Sequence, residues 1–231
     1  MTEHKRTKEA KEALRNGHVE FLGISLLVEN GVLVPREETE LLAQKAIDVL
    51  ASQDDRKRIV IDMCCGAGNL ACVISMKASD VQIWGSDLTD ESVRLARKNV
   101  EYCQVGDRVT IVQGDLFEPL EETGIKGQVD VIVCNPPYIP EKTITGELSD
   151  LLDLEPIEAF EAGAYGISFH QRVSKAAADW LRVGGSLLFE FGVGQEKHVE
   201  MIIKRARVFS DVELFCNEED QPRVALAHRI K

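Results

Sequence analysis

No apolar run in this sequence approaches the about 18 residues that a membrane-crossing helix needs, and Met1 to Lys8 lack the apolar core of a secretion signal. A soluble, cytoplasmic protein is expected, with no membrane partner. The cysteines, Cys64, Cys65, Cys72, Cys103, Cys134 and Cys216, form no Cys-x-x-Cys pair and have no His-x-x-x-His companion. That scatter argues against zinc, so no metal is expected and the thiols read as reduced and buried. Positive charge is also scarce, with 27 Lys and Arg against 39 Asp and Glu, a formal net charge of −12. A protein that lives on phosphates shows a basic face, yet here only Lys5, Arg6, Lys8, Lys11 and Arg15 gather, interrupted by Glu3, Glu9 and Glu12. Long nucleic-acid duplexes are therefore poor candidate substrates. A Gly-x-Gly-x-x-Gly dinucleotide fingerprint, internal repeats and low-complexity segments are missing too.

What is present is an alternation of short apolar runs with amphipathic stretches, ample in 231 residues for one α/β domain. Residues 1 to 19 read as a loosely held helix. Phe21 to Val28 and Val32 to Val34 flank Glu29-Asn30-Gly31, and Asn-Gly between two β-formers predicts a hairpin turning there. A helix from about Glu38 to Leu50 follows, and Ser52 to Asp55 mark a boundary. Strands are predicted at Ile59–Met63, Val81–Ser86, Val109–Val112, Val129–Cys134 and Ser186–Phe191, with helices at Asn69–Met76, Asp90–Cys103, Ser168–Leu181 and Gln195–Arg207 between and after them. Gly184-Gly185 is expected to stop the Ser168–Leu181 helix, and Val212–Phe215 with Arg223–Ala227 to close as an antiparallel pair. Such alternation implies a mostly parallel sheet with helices on both faces.

The most informative residues are Asn135-Pro136-Pro137-Tyr138, delivered by the apolar strand Val129–Cys134 to the end of that sheet. A planar –NH₂ group is a poor nucleophile because its lone pair is delocalised, so an enzyme alkylating one must align the nitrogen while engaging both N–H bonds. Asn135 offers a side-chain oxygen. Pro136 has a carbonyl but no N–H, and Pro137 biases it toward an extended backbone that aims the carbonyl outward. Tyr138 supplies a flat face. A strand with a proline-stopped turn is the plainer explanation, but the strand-end position favours chemistry. Directly after it, Ile139 to Tyr165 is too long for a routine connection and carries Glu141, Glu147, Asp150, Asp153, Glu155, Glu158 and Glu161. Loops of that length are commonly lids, and an acidic lip would repel phosphates.

A second site feature is the turn Asp62-Met63-Cys64-Cys65-Gly66-Ala67-Gly68-Asn69, whose Gly66 and Gly68 let a ligand approach the backbone at a strand-to-helix crossing. Asp87 ends the next strand, where an acid can accept from ribose hydroxyls, and Asp115 ends the third, beside Leu116 and Phe117 as an apolar bed for a purine. Any one of these acids is commonly a helix cap. Three in successive units point to a nucleoside.

These motifs together resemble the ordered motifs of class I S-adenosylmethionine methyltransferases that act on planar amino groups. Val32 to Glu40, Glu155 to Gly166, and Glu190-Phe191-Gly192-Val193-Gly194-Gln195 are further similar to stretches of the release-factor glutamine methyltransferases of the HemK/PrmC type. The resemblance implies a Rossmann-like seven-stranded sheet of order 3-2-1-4-5-7-6 with one antiparallel strand, preceded by a β-hairpin, and divides the chain into residues 1–50 (helix, hairpin, helix) and a methyltransferase domain over 51–231. It implies that S-adenosylmethionine lies with its methionine end near Thr39, Asp62, Cys64, Gly66 and Gly68, its ribose at Asp87 and its adenine at Asp115 and Leu116. Asn135 would touch both cofactor and acceptor, with Pro136, Pro137 and Tyr138 cradling the acceptor amide, and no dedicated general base. The family usually has glycine at the position of Cys64, so an extended backbone is expected there, and an acid at the position of Tyr165. Members also carry a helical domain ahead of the hairpin that grips the release factor, so either another surface or a partner is expected to recognise the protein substrate, or the acceptor is something else. A small-molecule acceptor, nucleic-acid adenine or cytosine, and a silent binding scaffold are the alternatives; retention of Asn135 and Asp87 speaks against the last.

Overall fold

The computed structural model describes residues 3–52, 56–78, 80–138 and 167–231. The predicted acidic loop from Ile139 to Tyr165, the Glu155–Gly166 stretch and most of the boundary at Ser52–Asp55 lie outside the described residues. Helix α1 (Glu3–Asn16) leads into strands β1 (His18–Phe21) and β2 (Ile24–Leu27), and a short 3₁₀ turn (Glu37–Thr39) into α2 (Glu40–Ala51). Then come β3 (Arg58–Met63), α3 (Asn69–Lys77), β4 (Val81–Asp87), α4 (Asp90–Tyr102), β5 (Val109–Gln113) and β6 (Val129–Cys134). The chain ends with α5 (Ser168–Trp180), β7 (Leu181–Glu190), α6 (Glu196–Arg205), β8 (Glu213–Cys216) and β9 (Pro222–His228).

Seven strands form one sheet in the order β5-β4-β3-β6-β7-β9-β8. Pairings from β5 through β7 are parallel, and β9 runs antiparallel to both of its neighbours. This is the expected order. The sheet buries both faces, which is why its central strands read as continuous apolar runs. Val60, Val131, Val133 and Leu188 point into a core with Leu42 and Leu50 of α2 and Ile74 of α3. Ile61, Ile132, Cys134 and Phe189 point the other way, against Val173 and Trp180 of α5 and Ile203 of α6. Alternation with period 2 thus sorts each strand between two cores.

Three local expectations need correction. The hairpin turns at Leu22-Gly23, not at Asn30-Gly31, with Phe21 paired to Ile24. Leu22 and Gly23 have φ of 48° and 75°, the double left-handed geometry that a two-residue turn requires. Asn30-Gly31 makes a turn, but Val32 and Val34 beyond it are buried without joining a ladder. Helix α1 is better held than its polarity suggests, because Ala10 and Ala13 pack with Val28 and Val34. Gly184-Gly185 does not stop the helix before β7: α5 ends at Trp180, and both glycines lie inside β7, where the register against β6 shifts. A β-carbon on Gly185 would stand 2.8 Å from the Val129 carbonyl, so the close strand approach demands glycine. No described helix is long and apolar enough to cross a membrane.

Candidate active site

At the carboxyl end of β3 the chain must reverse into α3 within a few residues. Cys64, Gly66 and Gly68 all take left-handed φ, of 59°, 52° and 75°. The extended backbone expected at Cys64 is therefore wrong. That bend lets Cys65 N–H reach the Ser86 carbonyl on β4 at 3.1 Å, and a side chain in this conformation costs about 1–2 kcal/mol. Gly68 ends the turn, donating to the Cys65 carbonyl at 2.7 Å, and a β-carbon there would press on Ala96 of α4 at 3.1 Å. Asn99 of α4, fully buried, donates to the Ala67 carbonyl at 2.9 Å and accepts from Leu27 N–H at 2.7 Å, so it ties the turn to the hairpin.

Two acids brace this turn. Asp87 Oδ2 accepts from Gly66 N–H at 2.8 Å and its Oδ1 from Thr89 N–H at 3.2 Å. Asp62 lies beneath, wholly buried, with Oδ2 on Ala71 N–H at 3.0 Å and Oδ1 without a partner among the described residues. Burial pushes its carboxyl up to about 8, the Ala71 N–H opposing and the Asp87 charge adding to the rise. Asp115, past β5, is held by Arg172 of α5 at 2.5 Å, and that guanidinium also lies 5.9 Å from the Phe169 ring centre.

A cavity of about 270 Å³ opens over these strand ends, bordered by Cys64, Gly66, Asp87, Asp115, Leu116, Asn135 and Pro137 among the described residues. Leu88 and Phe169 add apolar walls. A smaller recess of about 30 Å³ shares Cys64, Gly66 and Asn135 with it and reaches Thr39 and Arg36. Asn135 stands where the two meet. The structure thus brings together most residues singled out from the sequence. Asp62 and Gly68 instead support the turn from behind, and Pro136 and Tyr138 stand outside both linings.

Asn135 donates its Nδ2 to the Thr39 hydroxyl at 3.1 Å, which leaves Oδ1 without a partner among the described residues. Tyr138 is gripped at both ends. Its carbonyl accepts from Gln195 Nε2 at 2.8 Å, while Gln195 Oε1 accepts from Gly192 N–H at 2.8 Å. Its hydroxyl donates to Glu190 Oε1 at 3.1 Å and accepts from Arg223 at 3.1 Å. Burial raises the Glu190 carboxyl above the usual range, with Arg223, Thr39 and Tyr138 opposing. Glu190, Gln195, Arg223, Asn99, Phe169 and Arg172 are site neighbours that the sequence did not single out. Gln195 and Glu190 fell in a stretch noted for its resemblance; the others carry no spacing signal.

A cleft at the carboxyl ends of β3, β4 and β5, with a glycine turn at one wall, a carboxylate at the end of β4 and a smaller recess beside it, fits a nucleoside that carries an amino-acid tail. A β-carbon on Gly66 would meet nothing within 4 Å, as befits a residue facing a ligand. Sheet order and site define a class I methyltransferase. A family model, "Methyltransferase small domain", matches residues 38–152. The release factor glutamine methyltransferase of Clostridium acetobutylicum is 34% identical over 91% of this chain and 72% of its own length. That of Bacillus anthracis is 32% identical over 91% and 74%. The chain belongs to the release factor glutamine methyltransferase family. Among solved structures, the T. thermophilus 16S rRNA N2 G1207 methyltransferase (RsmC), in complex with AdoMet and guanosine, superposes with a TM-score of 0.66 at 20% identity, over 92% of this chain. This chain spans about half of that one, 49%, and the likeness is one of fold.

Proposed function

We propose that this methyltransferase, with S-adenosylmethionine as its cofactor, methylates the side-chain amide nitrogen of a glutamine in a protein, a peptide chain release factor. The observation that carries the reading is the place of Asn135 at the junction of the two recesses, with Nδ2 on Thr39 and Oδ1 uncommitted. An uncommitted carbonyl oxygen suits the N–H of an acceptor amide, and the Pro136 carbonyl supplies the second acceptor. The cofactor, when bound, supplies an electrophilic methyl group on a sulfonium. Thr39, Cys64 and Gly66 border the recess for its methionine end. Asp87 receives the ribose hydroxyls, and Asp115, Leu116 and Phe169 bound the base. Asn135 and Pro136 hold the acceptor nitrogen in line, and positioning accounts for most of the rate without a dedicated base. The relatives' names supply the acceptor.

The test is incubation of the purified protein with methyl-labelled S-adenosylmethionine and a size-fractionated extract of the source organism, beside purified release factors. Label in a release factor supports the assignment. Label confined to the small-molecule pool moves the protein into biosynthesis and overturns it.

A further inference from the structure

Behind the Asn-Pro-Pro-Tyr segment lies a cluster of buried charge whose members line neither recess. Side chains of Glu190 and Arg223 are 1% and 4% exposed, and that of Glu38 is 13% exposed. Arg223 lies 3.5 Å from Glu190 Oε1 and 3.8 Å from Glu38 Oε2, and 5.6 Å from the centre of the Tyr138 ring. His170 of α5 donates its Nε2–H to the Glu190 carbonyl at 2.8 Å, fixing the backbone at the end of β7. Glu38 is adjacent in sequence to Thr39, which holds Asn135.

A buried ion cluster is weak evidence for stability, since well-packed apolar residues of the same volume often do as well or better. Here one carboxylate oxygen, Glu190 Oε2, has no hydrogen-bond partner within 3.5 Å among the described residues. What the cluster does achieve is to commit both functions of the Tyr138 hydroxyl: its proton to Glu190, a lone pair to Arg223. An acceptor therefore meets the ring of Tyr138 more readily than its hydroxyl.

We propose that Glu190 and Arg223 are positioning residues of the transfer reaction, acting through the Tyr138 hydroxyl to fix the ring against which the acceptor lies. Through Glu38 and Thr39 the same cluster ties that ring to Asn135. The proposal rests on the reading of residues 135 to 138 as the acceptor cradle. Misplacing a reacting group by about 1 Å from a distance costs on the order of 100-fold, so the cluster has leverage without contact.

The variants are Glu190→Ala, Glu190→Gln and Tyr138→Phe, with the Glu190→Ala/Tyr138→Phe double. Turnover is read as total label transferred from methyl-labelled S-adenosylmethionine into a source-organism extract at saturating cofactor. Affinity for S-adenosylhomocysteine is read by calorimetry. Expected are a loss of at least ~10-fold in turnover for Glu190→Ala with cofactor-product affinity within ~3-fold, and substantial rescue by Glu190→Gln, whose amide oxygen still accepts from Tyr138. The double variant should be no slower than the slower single one, because both break one unit. Crystal structures supply a readout independent of turnover, with the ring displaced in Glu190→Ala and in place in Glu190→Gln. Equal loss in Ala and Gln, full turnover in Tyr138→Phe, or an unmoved ring in Glu190→Ala would each overturn the proposal. Should Glu190→Ala fail to fold, Tyr138→Phe, which leaves no cavity, decides alone. A wild type that labels the extract but no release factor sinks only the acceptor assignment and leaves these ratios readable.

Discussion

The two ends of the site are built by different means. Around the cofactor turn, the backbone does the work: Gly66 N–H on Asp87, Ala71 N–H on Asp62, Cys65 N–H on the Ser86 carbonyl. Its residues come in order from three consecutive βα crossings. At the proposed acceptor end, side chains do the holding, and they come from four distant places: Glu38 and Thr39, Asn135 to Tyr138, Glu190 with Gln195, and Arg223. A backbone-built turn tolerates change in side chains that only line it. A network of buried polar groups does not, because each member leaves another unsatisfied when it is removed.

The sharpest way to separate the two ends is Asn135→Ala. Turnover should fall by about 10²–10³-fold, as when one fixed partner of the reacting group is lost, while S-adenosylhomocysteine affinity stays within a few-fold. Single-turnover transfer and calorimetry on one preparation check both halves. Asp87→Ala should invert that pattern. Loss of a charged acceptor that also clamps the Gly66 N–H weakens S-adenosylhomocysteine binding by roughly 10–100-fold, with a smaller loss of turnover at saturation.

Asp62 tests whether the cofactor end carries strain for function. Its carboxyl titrates near 8 in the folded chain against 3.8 ordinarily, so the folded state holds a proton that the unfolded state has released. Stability from this group is fully present below pH 4, declines as pH rises from there to 8, and stays low above. Asp62→Asn, which can still accept from Ala71 N–H, should therefore stabilise by roughly 2 kcal/mol at pH 9 and by little at pH 4. Urea unfolding at the two pH values measures the difference. Cys64→Gly is the mildest change. It relieves a left-handed cysteine and should raise stability by about 1 kcal/mol in the same unfolding assay, an outcome that an extended backbone at this position would not produce.

The same contrast explains what was legible in the sequence. Strands of the parallel sheet announce themselves as short β-branched apolar runs, so β3, β4, β5 and β6 were foreseen to within a residue or so. Asp87, Asp115 and Asn135 were legible because each sits just past such a run. Backbone sign was not: nothing in Leu22-Gly23 outbids Asn30-Gly31 as a turn signal, and Cys64 gave no hint of its left-handed φ. Register shifts escape for a similar reason, since Gly184-Gly185 reads as a stop when a neighbouring strand is unknown. Arg223 and Glu190 lie 33 residues apart with no periodic relation, and only the pairing of β7 with β9 makes them neighbours. Asn99 was one polar residue on an amphipathic helix until the hairpin was placed against it.

The most direct test of the central claim is tandem mass spectrometry of a release factor after incubation with the purified protein and S-adenosylmethionine. The account predicts one added methyl group on a glutamine side-chain nitrogen, gone with Asn135→Ala. A methyl group on oxygen, sulfur or a lysine amine, or its persistence at full level in Asn135→Ala, would contradict it.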